Sequence, residues 1–385
     1  MHAPHNISAV IMLGNNQNTP QEQLVLQTQQ ATALDLITIL QTQDIKPIIV
    51  ATPDASWLPP TLDIIVDEDV PTQPFVFGPR LGELITKYQL ETVMYFGGGS
   101  TPLVDEEIIT LLTGMLGRAG PGSSIPTYMA LTNNVHSSDW LVLTHAQAAV
   151  EHNIFEQAVR DNTLAWLLKD SGLYDVRAIT RMRPAASFDL DTPADLAIIM
   201  QHPDITPRLA QILSQHNDVL SAIPVPEILK IATTPQSNLT LIGRVSPQAW
   251  QALNKATQCW IRVFAEERGM VASGRLHRAE VQSLLGELLR TTGPTQFFAT
   301  LANMTDAAII DSRPLMASQG HWPTNADRFA SDLYQIGQIK NEWLREFTIA
   351  ARAAPIPILL GGHSVVAGGL FTLIEIINAR LQQDP

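Results

Sequence analysis

The chain has 385 residues, a formal charge of −13, one cysteine, 45% hydrophobic residues and only 16% charged ones. That length implies two domains of roughly 150 to 200 residues each, net acidity without any Lys/Arg run excludes DNA or RNA as the main partner, and a lone Cys259 excludes an internal disulfide or a cysteine-rich zinc site, which fits a reducing cytoplasm. No window approaches about 20 consecutive apolar residues, so no membrane span is expected; the opening MHAPHNISAV lacks the features of a signal peptide, and the charge-poor composition suits a protein that buries surface in a homo-oligomer.

The first half alternates β-branched runs with helical stretches. Ser8 to Leu13 reads as a strand, Gln21 to Gln43 as helix, Pro47 to Ala51 and Leu62 to Val66 as strands, Pro79 to Tyr88 as helix, Glu91 to Phe96 as strand and Glu106 to Leu116 as helix. Pro126 to Leu131 and Trp140 to Leu143 continue the sheet, a helix follows through Phe155 to Lys169, and a last strand runs into FDLDTPADL at Phe188 to Leu196. Runs that are apolar throughout belong to a sheet covered on both faces, and βα alternation implies parallel pairing. The expected architecture is a three-layer α/β, Rossmann-like sheet.

After Gln201 the pattern changes. Pro203 to Gln236 is helical and interrupted by prolines, with a linker near Thr233 to Leu239, which divides the chain into 1–205, a helical linker region 206–239 and a mainly α-helical domain 240–385. Ser246 with Pro247 caps a helix expected to reach Arg268 before Gly269 stops it. Further helices fit Arg278 to Arg290, Pro294 to Ile310 and Ala326 to Ala353, a strand or tight turn fits Ile356 to Gly362, and a final helix runs to Gln383.

Three segments carry chemistry in the first half. In FDLDTPADL a strand delivers Asp189 and Asp191, Thr192 stands as N-cap and Pro193 as first helical residue. Two such acids can hold Mg²⁺ beside a triphosphate, although Asp191 and Thr192 can equally serve only to cap a helix. Gly97 to Gly99 end a strand, where backbone N–H groups can cradle an anion or simply make a tight turn. TNNVHSSDW, Thr132 to Trp140, gathers Asn133, Asn134, His136, Ser138 and Asp139, which can hydrogen-bond a polyol or merely build a turn.

AVIMLG, MYFGGGSTPLV and FDLDTPADL, in this order and approximate spacing, resemble the segments of nucleotidyltransferases typified by molybdenum cofactor guanylyltransferase, over about residues 8 to 201. The resemblance implies a glycosyltransferase-A-like nucleotidyltransferase sheet that binds a nucleotide, nucleotide sugar or cofactor precursor. Gly14, Gly97, Gly98, Gly99 and Ser100 would contact the nucleotide, the 132–140 loop the acceptor, and Asp189 and Asp191 would hold Mg²⁺. Two departures qualify it. The loop after the first strand, GNNQNTPQEQ, lacks the Arg and Lys that hold the family's triphosphate, and no Lys or Arg precedes Lys46. Ser100 stands where the family places a magnesium-binding Asp, while Asp105 is placed to cap a helix. The alternative is therefore a catalytically inactive protein that keeps the pocket to bind or sense a ligand.

The second half matches no family. Its Arg244, Arg262, Glu266, Glu267, Arg268 and Arg275 form either an anion patch or ordinary pairs such as Arg262 with Glu266 on a helix. Asp306, Asp311, Asp327 and Asp332 offer metal ligands from helices or lie at the surface. LLGGHSVVAGG brackets His363 and Ser364 with glycine pairs, an arrangement that suits close approach to a ligand or tight helix packing.

Overall fold

The computed structural model describes residues 7–14, 18–70, 72, 74–100, 102–116, 128–135, 138–179 and 187–383. They form two compact units, one comprising Met1–Asn15, Gln29–Ser187 and Thr206–Leu209, the other Asn16–Thr28, Phe188–Ile205 and Ala210–Pro385.

The elements through the first half are β1 (Ile7–Met12), α1 (Pro20–Thr42), β2 (Ile48–Thr52), β3 (Ile65–Glu68), α2 (Phe77–Lys87), β4 (Thr92–Gly97), α3 (Glu106–Leu116), β5 (Tyr128–Thr132), β6 (Trp140–Leu143), α4 (Ala146–Glu151), α5 (Ile154–Gln157), α6 (Leu164–Asp170) and β7 (Tyr174–Ala178). The strands make a seven-stranded sheet in the order β3-β2-β1-β4-β6-β5-β7. Alternation of side chains explains its two cores: Ala9, Ile11, Met94 and Phe96 face one layer of helices, while Val10, Met12, Val93 and Tyr95 face the other. The result is the expected three-layer α/β sandwich.

Pairing is not parallel throughout. β6 runs antiparallel to both β4 and β5, because the short loop between β5 and β6 leaves no room for a crossover. The helix expected over Phe155 to Lys169 is broken into short pieces. Ala158 (φ −86°, ψ 81°) and Arg160 (φ −136°, ψ 154°) leave helical geometry between α5 and α6, and Asn153 (φ 53°) in the left-handed region starts α5. A buried ion cluster fastens β3 to α2: the Arg80 guanidinium lies 2.8 Å from Asp67 and 2.9 Å from Asp69, and Asp67 also accepts from Lys87 and Tyr88, each at 2.6 Å.

The remaining elements are α7 (Pro193–Ile199), α8 (Pro207–Gln215), α9 (Asn217–Leu220), α10 (Val225–Thr233), β8 (Asn238–Gly243), α11 (Pro247–Ala256), β9 (Trp260–Ala265), α12 (Leu284–Ala302), β10 (Ala307–Asp311), α13 (Arg313–Ser318), α14 (Asn325–Asp332), α15 (Glu342–Arg352), β11 (Ile358–Gly361) and α16 (Gly368–Gln383). Helix predominates here, as expected. At its centre lies a parallel four-stranded sheet, β11-β10-β8-β9, of which only β11 was expected. β8 occupies part of the expected linker. The helix after Ser246 stops at Ala256, and WIRVFA continues as edge strand β9 with Trp260 69% exposed. The expected Pro294 to Ile310 helix ends at Ala302 and AAIID becomes β10, and the expected Ala326 to Ala353 helix divides into α14 and α15. One face of this sheet, with Ile242, Ala308, Ile310, Ile358 and Leu360, packs against Phe297, Phe298, Leu344 and Phe347.

Candidate functional site

In the first unit the carboxyl ends of β1 and β4 lie side by side, since Met12 pairs with Gly97. Open α/β sheets take ligands at such ends. The glycine run there has backbone duties. Gly97 donates its N–H to the Asp139 carbonyl at 3.0 Å and Gly98 donates to the Met12 carbonyl at 2.9 Å. A side chain at Gly98 would meet Leu13 Cδ1 at 2.3 Å, so glycine is what lets the two strand ends approach. Gly98, Gly99 and Ser100 are buried, Gly97 is half-buried and Gly14 is exposed. The Ser100 hydroxyl donates to the Gly97 carbonyl at 2.8 Å. Asp105 caps α3 by accepting the Ile108 N–H at 2.8 Å.

The loop between β5 and β6 is tied to itself. Buried Asn133 donates from Nδ2 to Asp139 Oδ2 at 2.5 Å and accepts the Asp139 N–H at 3.1 Å. Buried Ser138 donates to the Asp161 carbonyl at 2.8 Å. Asn134 is exposed, and His136 lies outside the described residues. Asn133 and Asp139 thus come together, while Asn134 is the described residue of the loop most open to solvent.

FDLDTPADL lies in the second unit and contributes no strand to the seven-stranded sheet. Its local geometry matches expectation: Thr192 is the N-cap and Pro193 the first residue of α7. The residue that organises it is Asp195, which is fully buried and accepts from the Asp191 N–H at 3.2 Å, the Thr192 N–H at 2.8 Å and the Thr192 hydroxyl at 2.8 Å, all on Oδ2. Oδ1 and the Ser364 hydroxyl each lack a hydrogen bond of ordinary geometry among the described residues, though Ser364 lies close enough to favour the carboxylate. Burial, reinforced by the neighbouring Asp191 charge, pushes Asp195 up to about 7. Crowding by surrounding protein also raises Asp191, although solvent reaches its surface, and its carboxyl is hydrogen-bonded to that of Asp189. Asp189 and Asp191 are thus brought together as a carboxyl pair, with Asp191 exposed to solvent. Asp195 was the missed member: an acid three residues after a Thr-Pro cap is a capping-box signal.

The second unit's charged residues also separate. Asp311, fully buried, grips Arg244 at 2.6 Å and 3.1 Å, and Asp332, equally buried, holds Arg313 at 2.9 Å and 2.7 Å. Asp327 accepts the Lys340 and Asn341 N–H groups, and Asp306 accepts the Asn238 N–H. The proposed Arg262 and Glu266 helix pair does not form. Arg262 lies on strand β9 and donates to the Met304 carbonyl, and Glu266 accepts from Ser283, Leu284 and Leu285 at the head of α12. Among the described residues no group of three or more His, Cys, Asp or Glu is arranged to hold a metal ion, and no helix is long and apolar enough to cross a membrane.

No protein-family model matches the chain, and no curated protein matches it. Among solved structures it is similar to a cytidylyltransferase from Leptospira borgpetersenii, at 11% identity over 56% of this chain and 95% of that one, with a TM-score of 0.39. It is also similar to CMP:2-keto-3-deoxy-manno-octonic acid synthetase complexed with CTP, at 15% identity over 44% and 88%, TM-score 0.29. A third is the glycosyltransferase GlyE of Streptococcus pneumoniae TIGR4, at 9% identity over 85% and 90%, TM-score 0.33. At these identities and TM-scores none of them assigns a substrate or a reaction to this chain.

Proposed function

We propose that the first unit binds a nucleotide, nucleotide sugar or related cofactor precursor at the carboxyl ends of β1 and β4, and that it does so as a binding protein without NTP-dependent nucleotidyl transfer. The observation that carries this reading is the Gly97 to Ser100 turn. It follows a central strand as the resemblance to nucleotidyltransferases requires, yet offers a buried serine hydroxyl, already donated to Gly97, where that resemblance calls for a metal-binding carboxylate. A hydroxyl is a poor ligand for a hard dication. The lack of any Lys or Arg before Lys46 points the same way, since each charge-assisted hydrogen bond to a triphosphate contributes roughly 1.5 to 3 kcal/mol.

One observation favours a second reading, Mg²⁺-dependent transfer: Asp189 and Asp191 form a carboxyl pair with one member exposed. Two carboxylates completed by waters make a chemically adequate magnesium site, and these residues of the second unit would hold the ion. When bound, magnesium would neutralise developing phosphate charge. The two readings separate in a thermal-shift and turnover experiment on the full chain with nucleoside triphosphates and nucleotide sugars. Stabilisation that is the same with and without Mg²⁺, with no pyrophosphate released, is the expected outcome. Mg²⁺-dependent pyrophosphate release that disappears in Asp191→Asn would replace the first reading by the second.

A further inference from the structure

Because β9, β8, β10 and β11 are all parallel, the loops that follow them emerge at one edge of the second sheet, the edge where open parallel sheets bind ligands. Three of these loops deliver Arg244 after β8, Arg268 after β9 and His363 after β11. The acids beside them are engaged. Asp311 orients Arg244 through Nε and Nη2, Glu267 pairs with Arg275 at 2.9 Å, and Glu266 caps α12. Arg244 Nη1 and the whole Arg268 guanidinium have no protein partner among the described residues, and Arg268 is exposed. Both arginines act electrostatically on His363, and burial followed by Arg244 holds its ring down to about 4. The neutral ring directs its one N–H to the Arg244 carbonyl, so it donates to a phosphoryl oxygen on taking up a second proton, and the residue is crowded by protein yet reached by solvent.

The backbone at this edge is shaped for close approach. Gly243 has φ 110°, and a side chain there would meet Asp311 Cβ at 2.6 Å. A side chain at Gly362 would come within 3.2 Å of Thr192.

We propose that this edge of the second unit binds the phosphoryl group of a small molecule, held by Arg244, Arg268 and His363. Donors on three separate loops suit a tetrahedral group with three outward oxygens better than a planar carboxylate, which offers two. Arg244 is already oriented by Asp311, so little side-chain entropy is lost on binding. The inference does not depend on the reading of the first unit.

The test is calorimetric titration of the full chain, near neutral pH, with inorganic phosphate, ribose 5-phosphate and glycerol 3-phosphate. At least one should bind, and Arg268→Ala should weaken it by about tenfold or more without changing the melting temperature. Arg268→Lys should restore part of the loss. Bound phosphate should also raise the pKa of His363, read from its ring protons by NMR. Failure of all three compounds to bind at millimolar concentration, or affinity indifferent to Arg268→Ala and His363→Gln, would overturn the proposal. Malonate binding as tightly as the phosphate compounds would overturn the phosphoryl assignment.

Discussion

Replacing Asp195 by Asn isolates the energetic consequence of burying a carboxyl at the head of α7. Oδ2 accepts three hydrogen bonds that an amide oxygen can keep, so the turn should survive. What changes is titration. The folded-state pKa is raised, so the stabilising contribution is present below the unfolded value and is lost as pH rises to the folded one. The interval from 3.8 to about 7, at about 1.36 kcal/mol per pH unit, corresponds to on the order of 4 kcal/mol. Wild type should therefore lose stability relative to Asp195→Asn steadily between about pH 4 and pH 7, and the difference should level off above that. Urea unfolding of both proteins across this range measures it directly. A stability difference that does not vary with pH would refute the buried, proton-holding role of Asp195.

Other expected outcomes concern separate parts of the molecule. Asp191→Asn removes the charge that helps to raise Asp195, so the steep part of the wild-type pH dependence should move to lower pH in the same unfolding experiment. Burial opposes ionisation of Asp67, but hydrogen bonds from Lys87, Tyr88 and Arg80 overcome it and draw the carboxyl down to about 2. The resulting stability, on the order of 2 kcal/mol, should be present above about pH 4 and lost as pH falls towards 2; Asp67→Asn should lose that acid-side slope. Phe298→Ala empties a fully buried position between Phe297 and Phe347 and should reduce unfolding free energy by about 3 to 5 kcal/mol. Gly98→Ala should lower the melting temperature, because the new methyl overlaps Leu13.

The first unit was legible because its strands are buried on both faces and read as continuous apolar runs, as in AVIM and TVMYF. Its one antiparallel strand was hidden by the same property, since apolar runs carry no direction. The second unit's sheet was harder to see. WIRVFA follows a helix with no Gly or Pro between them, and AAIID follows Leu301 and Ala302 with only a short turn, so helical periodicity runs on across both boundaries. Of the candidate site, local chemistry was readable and tertiary placement was not. The Thr192 cap and the Asp105 cap follow from nearest neighbours. That Asn133 and Asp139 bond to each other, that Asp311 and Asp332 are consumed by arginines and that FDLDTPADL belongs to the second unit depend on contacts no short window contains.

In the proposed function the first unit holds a nucleotide-like ligand without a metal. Calorimetric titration of the full chain with the triphosphates and nucleotide sugars, once in EDTA and once in excess Mg²⁺, tests it most directly. One compound should bind with equal affinity in both buffers and raise stability by about 2.7 kcal/mol at a hundred times its dissociation constant. Binding found only in Mg²⁺ would contradict it.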